Sequence, residues 1–144
     1  MKKIIPYILA VLFGIGMGVL VFDRNIPVQK NKEINATGFQ IGVFTTKDAA
    51  LNYQKKYPKS LIVPDEEVYR VFYSILTDNK VIDKMRNYLN EQKISYFEKD
   101  ITITDQGLIE SLNNYESTMK EASTKTFKSI NDLILEGYGE KIWI

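Results

Sequence analysis

Few residues in this chain have the means to move a proton or hold a metal. The sequence contains no Cys and no His, which removes the thiol nucleophile, the imidazole base and the usual zinc ligands together. Carboxylates, Lys, Tyr and Ser remain. The densest carboxylate group is the turn Pro64-Asp65-Glu66-Glu67, but acid–base catalysis needs carboxyls held in a shaped pocket, and consecutive acids in a turn are ordinarily solvated. No acid and base can be assigned, so the sequence reads as that of a non-enzymatic protein without metal or cofactor. The other unusual residue is Arg70. It lies inside Val68–Leu76, VYRVFYSIL, the longest run of β-branched and aromatic residues. Period two places Val68, Arg70, Phe72 and Ser74 on one face and Tyr69, Val71, Tyr73 and Ile75 on the other. A guanidinium on so apolar a strand needs a reason.

The elements that would position Arg70 follow from spacing. In Gly38–Phe44, Phe39, Ile41 and Val43 alternate with Gln40, Gly42 and Phe44, so one face can be buried while Gln40 points the other way. Thr45 or Thr46 then caps a helix over 46–57, with Asp48, Ala49 and Ala50 in its first turn and a stop before Pro58. Ser60–Val63 reads as a short strand. Thr77-Asp78-Asn79 caps a second helix to about Gln92, with Val81, Ile82, Met85, Tyr88 and Leu89 as its apolar stripe. Ile94–Phe97 and Ile101–Ile103 supply the last strand or strands. The order strand, helix, strand, strand, helix, strand predicts an α+β domain with a four-stranded antiparallel sheet and both helices on one face. The other sheet face is left uncovered by either helix.

Residues 4–22, IIPYILAVLFGIGMGVLVF, carry no charge and as a helix would span about 28 Å, the thickness of a bilayer core. They predict a transmembrane anchor. Lys2 and Lys3 before it place the N-terminus in the cytoplasm and the following domain outside. A cleaved signal peptide ending near Gly16 or Gly18 competes with this, although Val19–Phe22 continue the apolar run. Ala10, Gly14 and Gly18 have the spacing that lets membrane helices approach closely, although Gly is simply common in such helices. Residues 23–37 are polar and aperiodic and read as a linker, 38–103 as the folded domain and 104–144 as a helical extension. The formal net charge is +1, and with Lys2 and Lys3 set aside the rest is close to neutral, so there is no electrostatic footprint for nucleic acid.

Residues 106 to about 136 lack Pro, and Leu108, Leu112, Tyr115, Met119 and Ala122, then Phe127, Ile130, Leu133 and Ile134, step at helical spacing. They predict one long C-terminal helix near thirty residues. Its stripe must be buried against a protein partner or against its own domain, where it would lie over the face of Val68, Arg70 and Phe72 and cover it.

Two segments together resemble the SPOR domain, a peptidoglycan-binding module of bacterial cell-division and sporulation proteins. Phe39-Gln40-Ile41-Gly42-Val43-Phe44-Thr45 through Ala49 matches the first half of its pattern, and Tyr69-Arg70-Val71-Phe72-Tyr73 the second, before a departure at Ser74, Ile75 and Leu76. The resemblance covers about residues 38–103. It implies a ferredoxin-like fold whose open sheet face binds peptidoglycan glycan strands stripped of stem peptides at septa. It assigns glycan contacts to Gln40 and Arg70. Where some members have an aromatic this chain has Val68, where many have Ser it has Val43, and Phe72 would supply the stacking surface. The resemblance therefore implies a membrane-anchored cell-wall binder. The alternative is a protein-interaction adaptor on the same fold that has lost glycan binding.

Overall fold

The computed structural model describes residues 32–139. The expected anchor, most of the expected linker and residues 140–144 lie outside them. Among the described residues no helix is long and apolar enough to cross a membrane. In chain order the elements are β1 (Ile34–Phe44), α1 (Lys47–Gln54), β2 (Leu61–Asp65), β3 (Val68–Leu76), α2 (Asn79–Glu91), β4 (Phe97–Ile103), α3 (Gln106–Glu121) and α4 (Thr124–Tyr138). The strands form one sheet in the order β2-β3-β1-β4, each neighbouring pair antiparallel.

Local chemistry sets most boundaries. Thr46 caps α1 by accepting from the Ala49 amide at 3.2 Å, and Asp78 caps α2 through the amides of Lys80 and Val81 at 2.9 and 3.3 Å. Helix α2 ends in a Schellman motif. The Ile94 amide reaches the Leu89 carbonyl at 2.9 Å and the Lys93 amide that of Asn90 at 3.0 Å, with Lys93 at φ 55°. That closure turns residues 94–96 into a loop, so the expected strand over Ile94–Phe97 is replaced by one continuous β4. Strand β1 begins inside the expected linker, because Ile34 and Ala36 pair with Ile103 and Ile101 of β4.

Helices α1 and α2 lie on one face. Tyr73 of β3 meets Tyr57 and Tyr88 there at centroid distances of 6.1 and 6.2 Å, and the aromatic series continues to Phe127 of α4 at 6.2 Å. Arg86 of α2 holds Glu98 of β4 through Nε at 2.5 Å and Nη2 at 2.8 Å. This guanidinium is the main cause that keeps the Glu98 carboxyl below its usual range.

The long C-terminal helix is two helices. The chain is extended at Ala122 (φ −73°, ψ 145°) and at Ser123 (φ −64°, ψ 162°), where Ser and Thr favour a helix start over a helix interior. The break folds the stripe into a hairpin: Leu108, Leu112, Met119, Phe127, Ile130 and Ile134 are buried in the core of their own domain, whereas Tyr115 and Leu133 face out. Strand β2 covers β3 only from Phe72 to Val68, which leaves the rest of that edge open. Asn131 Nδ2 donates to the Tyr73 carbonyl at 2.9 Å and Tyr138 Oη to the Ile75 carbonyl at 3.1 Å, so α4 satisfies carbonyls that β2 is too short to reach. Ser74 Oγ also bonds Asn131 Oδ1 at 2.6 Å. Glu116 of α3 accepts from the amides of Thr77 and Asp78 at 2.5 and 3.0 Å and fastens the hairpin to the entry of α2.

Candidate functional site

The face opposite α1 and α2 is divided. Toward one end, Ala36, Ile75, Ile101, Ile103 and Phe72 are buried in the same core as the α3–α4 hairpin. Gly38 permits this closure, since a Cβ there would stand 2.5 Å from Ile101 Cδ1 and 2.7 Å from Phe72 Cε1. Phe72 has no exposed surface. The stacking role expected of it is therefore corrected: its ring is core, packed against Gly38, and no ligand can reach it.

Toward the other end the face is open. Gln40 stands between two register shifts in the β1–β3 ladder and lies opposite Phe97 of β4. Arg70 lies opposite Val43 of β1 and Val63 of β2. These registers place Gln40 and Arg70 side by side: Arg70 Nη1 donates to Gln40 Oε1 at 2.8 Å. Arg70 Nε donates to Asp65, and Lys99 Nζ stands 3.9 Å from Asp65 Oδ2. Asp65 comes from the turn whose acids looked merely solvated. The two-residue connection Glu66–Glu67 pairs Asp65 with Val68, and that hairpin brings its carboxylate back beside Arg70. The connection is tight enough to put Glu66 at φ 53°, a conformation few non-glycine residues adopt.

Gln40, Arg70, Asp65 and Lys99 form a partly buried polar strip across all four strands, with side-chain exposures of 23% for Arg70, 12% for Asp65 and 27% for Lys99. Its apolar surroundings are Val68, half-buried at the hairpin base, Val43 at 43% exposed and Phe97 at 66% exposed. Of the expected site residues, Gln40 and Arg70 are brought together, Val68 borders them and Phe72 is excluded. Phe97, Lys99 and Asp65 were missed. The spacing places Phe97 only at the end of a strand over Ile94–Phe97, with no face assigned, and the β1–β4 register reveals it as an aromatic beside Gln40.

The chemistry available here is recognition. A guanidinium has five N–H donors; two of Arg70's are committed to Gln40 and Asp65, and these fix the fork of a side chain that is 23% exposed. The Gln40 amide nitrogen and the Lys99 ammonium add further donors. An exposed aromatic ring beside such donors suits a ligand with an apolar face and a polar rim. Proton transfer is poorly served, because the one carboxylate of the strip, Asp65, is held by Arg70 and Lys99. Among the described residues no group of three or more His, Cys, Asp or Glu side chains is arranged to hold a metal ion. In comparisons with protein-family models, with curated proteins and with solved structures, nothing matches this chain.

Proposed function

We propose that this protein is a non-enzymatic binder of cell-wall glycan that acts through the open half of its sheet. The strand order β2-β3-β1-β4 with crossovers through α1 and α2 is that of a ferredoxin-like sheet, the fold that the SPOR resemblance implies. One observation carries the reading: Gln40 and Arg70, the two residues assigned to glycan by the resemblance, are thirty positions apart and meet at 2.8 Å on an open face. Exposed Phe97 takes the stacking role from buried Phe72. Glycan stripped of stem peptides offers hydroxyl, acetamido and lactyl oxygens to the donors and a sugar face to the ring. With the apolar segment 4–22 as a single-pass anchor and the N-terminus in the cytoplasm, the domain lies outside the membrane and binds the wall at division or sporulation septa.

The test is cosedimentation of the full chain with purified sacculi rich in denuded glycan. Binding that falls in the Gln40→Ala, Arg70→Ala double variant supports the reading. No retention by such sacculi, or retention indifferent to the double variant, removes it.

A second reading is favoured by Val43 and Phe97, apolar and exposed on the same face: an adaptor that docks a protein on this surface. It predicts capture of a protein that Phe97→Ala abolishes while sacculi are ignored.

A further inference from the structure

The break between α3 and α4 is held from outside the tail. Lys84 of α2 is half-buried, and its Nζ donates to the carbonyls of Met119 at 2.9 Å, Lys120 at 3.4 Å and Ala122 at 2.6 Å. This places a cation at the negative end of the α3 dipole. The same ammonium stands 5.1 Å from the centre of the Phe127 ring at the start of α4. In an unbroken helix the amides of Ser123, Thr124, Lys125 and Thr126 would donate to the carbonyls of Met119, Lys120, Glu121 and Ala122. Lys84 holds three of those four carbonyls. It therefore competes directly with the continuous helix that the apolar spacing describes. The opposing signals within the tail are weak: Ser123 makes no side-chain cap bond, and residues 119–127 contain neither Pro nor Gly.

We propose that Ala122 and Ser123 form a hinge locked by Lys84, and that the second state of this chain is a reciprocal dimer. In that state α3 and α4 join into one helix of about 50 Å, and each α4 leaves its own sheet to complete that of a second copy. Straightening in a lone chain would strip the Tyr73 and Ile75 carbonyls of Asn131 and Tyr138 and uncover Phe127, Ile130 and Ile134. Exchange restores those contacts, because the second copy presents the same β3 edge. The two states then differ mainly at the hinge, where four backbone hydrogen bonds stand against the bonds of one lysine.

The chain has no Cys, so introduced thiols report the exchange. Lys59 and Glu136 meet at 2.5 Å, one on the approach to β2 and the other on α4. Full-length copies are co-expressed with Lys59→Cys in one tagged form and Glu136→Cys in the other. A flexible bismaleimide then joins the two forms where α4 of one lies on the sheet of the other, whereas association through another surface leaves the thiols apart. Lys84→Met removes the charge and should raise the joined product about tenfold or more, as the loss of hydrogen bonds from a charged group implies. Ser123→Ala with Thr124→Ala favours helix through the hinge with Lys84 in place, and should raise the product as well. Thr124→Pro added to Lys84→Met should return it to the original level, since Pro suits the first position of α4 after an extended Ser123 but not the interior of a long helix. No rise in either hinge-opening variant overturns the proposal, as does a product that Thr124→Pro leaves unchanged. A rise with the alanine pair and none in a Lys84→Met chain of normal far-ultraviolet dichroism overturns the lock.

Discussion

Replacing Phe97 and Phe72 by alanine, one at a time, separates the two halves of the sheet face. Both rings lie opposite Gln40, one from β4 and one from β3, yet Phe97 is 66% exposed and Phe72 not at all. Full burial of a Phe side chain stabilises by about 1.5–3 kcal/mol. The third of Phe97 that is buried is then worth roughly 0.5–1 kcal/mol to folding, whereas emptying the Phe72 site also leaves a cavity and costs about 3–5 kcal/mol. For a domain of this size, even the lower Phe72 figure lowers Tm by roughly 10–20 °C. Binding is ordered the other way. A sugar that covers the exposed two-thirds of Phe97 gains roughly 1–2 kcal/mol, so Phe97→Ala should weaken association with denuded sacculi about 5–30-fold while its melt shifts by only a few degrees. Thermal dichroism and sacculus cosedimentation on the same preparations read both quantities. A Phe97→Ala protein that melts as early as Phe72→Ala would refute the division of the face. One that melts normally and binds normally would refute the stacking role.

Three further outcomes follow from the packing. Gly38→Ala inserts a methyl group between the Phe72 ring and Ile101, and should cost about 1–3 kcal/mol, read from the urea midpoint; an unchanged midpoint would show that the covered half is loose. Asn131→Ala removes the partners of the Tyr73 carbonyl and the Ser74 hydroxyl and should cost about 1–3 kcal/mol, with faster amide exchange concentrated at the end of β3. The Asp78 carboxyl is lowered chiefly by its hydrogen bond from Lys120, and the Glu98 carboxyl chiefly by Arg86. Both lie below their ordinary values of 3.8 and 4.5, so their contribution is complete above those values and is lost as pH falls through the lower folded ones. The urea midpoint should hold from pH 7 to about 5 and decline below 4, and Arg86→Met should flatten the decline.

The sequence discloses the βαββαβ order and the caps at Thr46 and Asp78, because period-two and helical stripes are local signals that the packing reinforces. It also singles out Arg70, since a charge on an apolar strand is conspicuous without any partner in view. The partners of Arg70 are less visible. Its contact with Gln40 depends on two register shifts around that residue, and its contact with Asp65 depends on a two-residue turn of Glu66 and Glu67, which lacks the Asn-Gly type of signal. Phe97 is inconspicuous for a related reason. An apolar run does not reveal its inward side until its register with β1 is known.

The break in the tail was hidden because the apolar spacing continues smoothly past it, and because Ser123 makes no side-chain cap bond that would mark a strong start. Strand lengths would have predicted where the tail goes. A five-residue β2 beside a nine-residue β3 must leave backbone carbonyls of β3 without a neighbour, and buried carbonyls need donors. A C-terminal helix that places Asn131 and Tyr138 seven residues apart on one face, two turns of helix, supplies donors to Tyr73 and Ile75. The hairpin is thus required by the sheet it completes. Phe72 is buried in that same core, and Gln40, Arg70 and Phe97 are the part of the face that stays open.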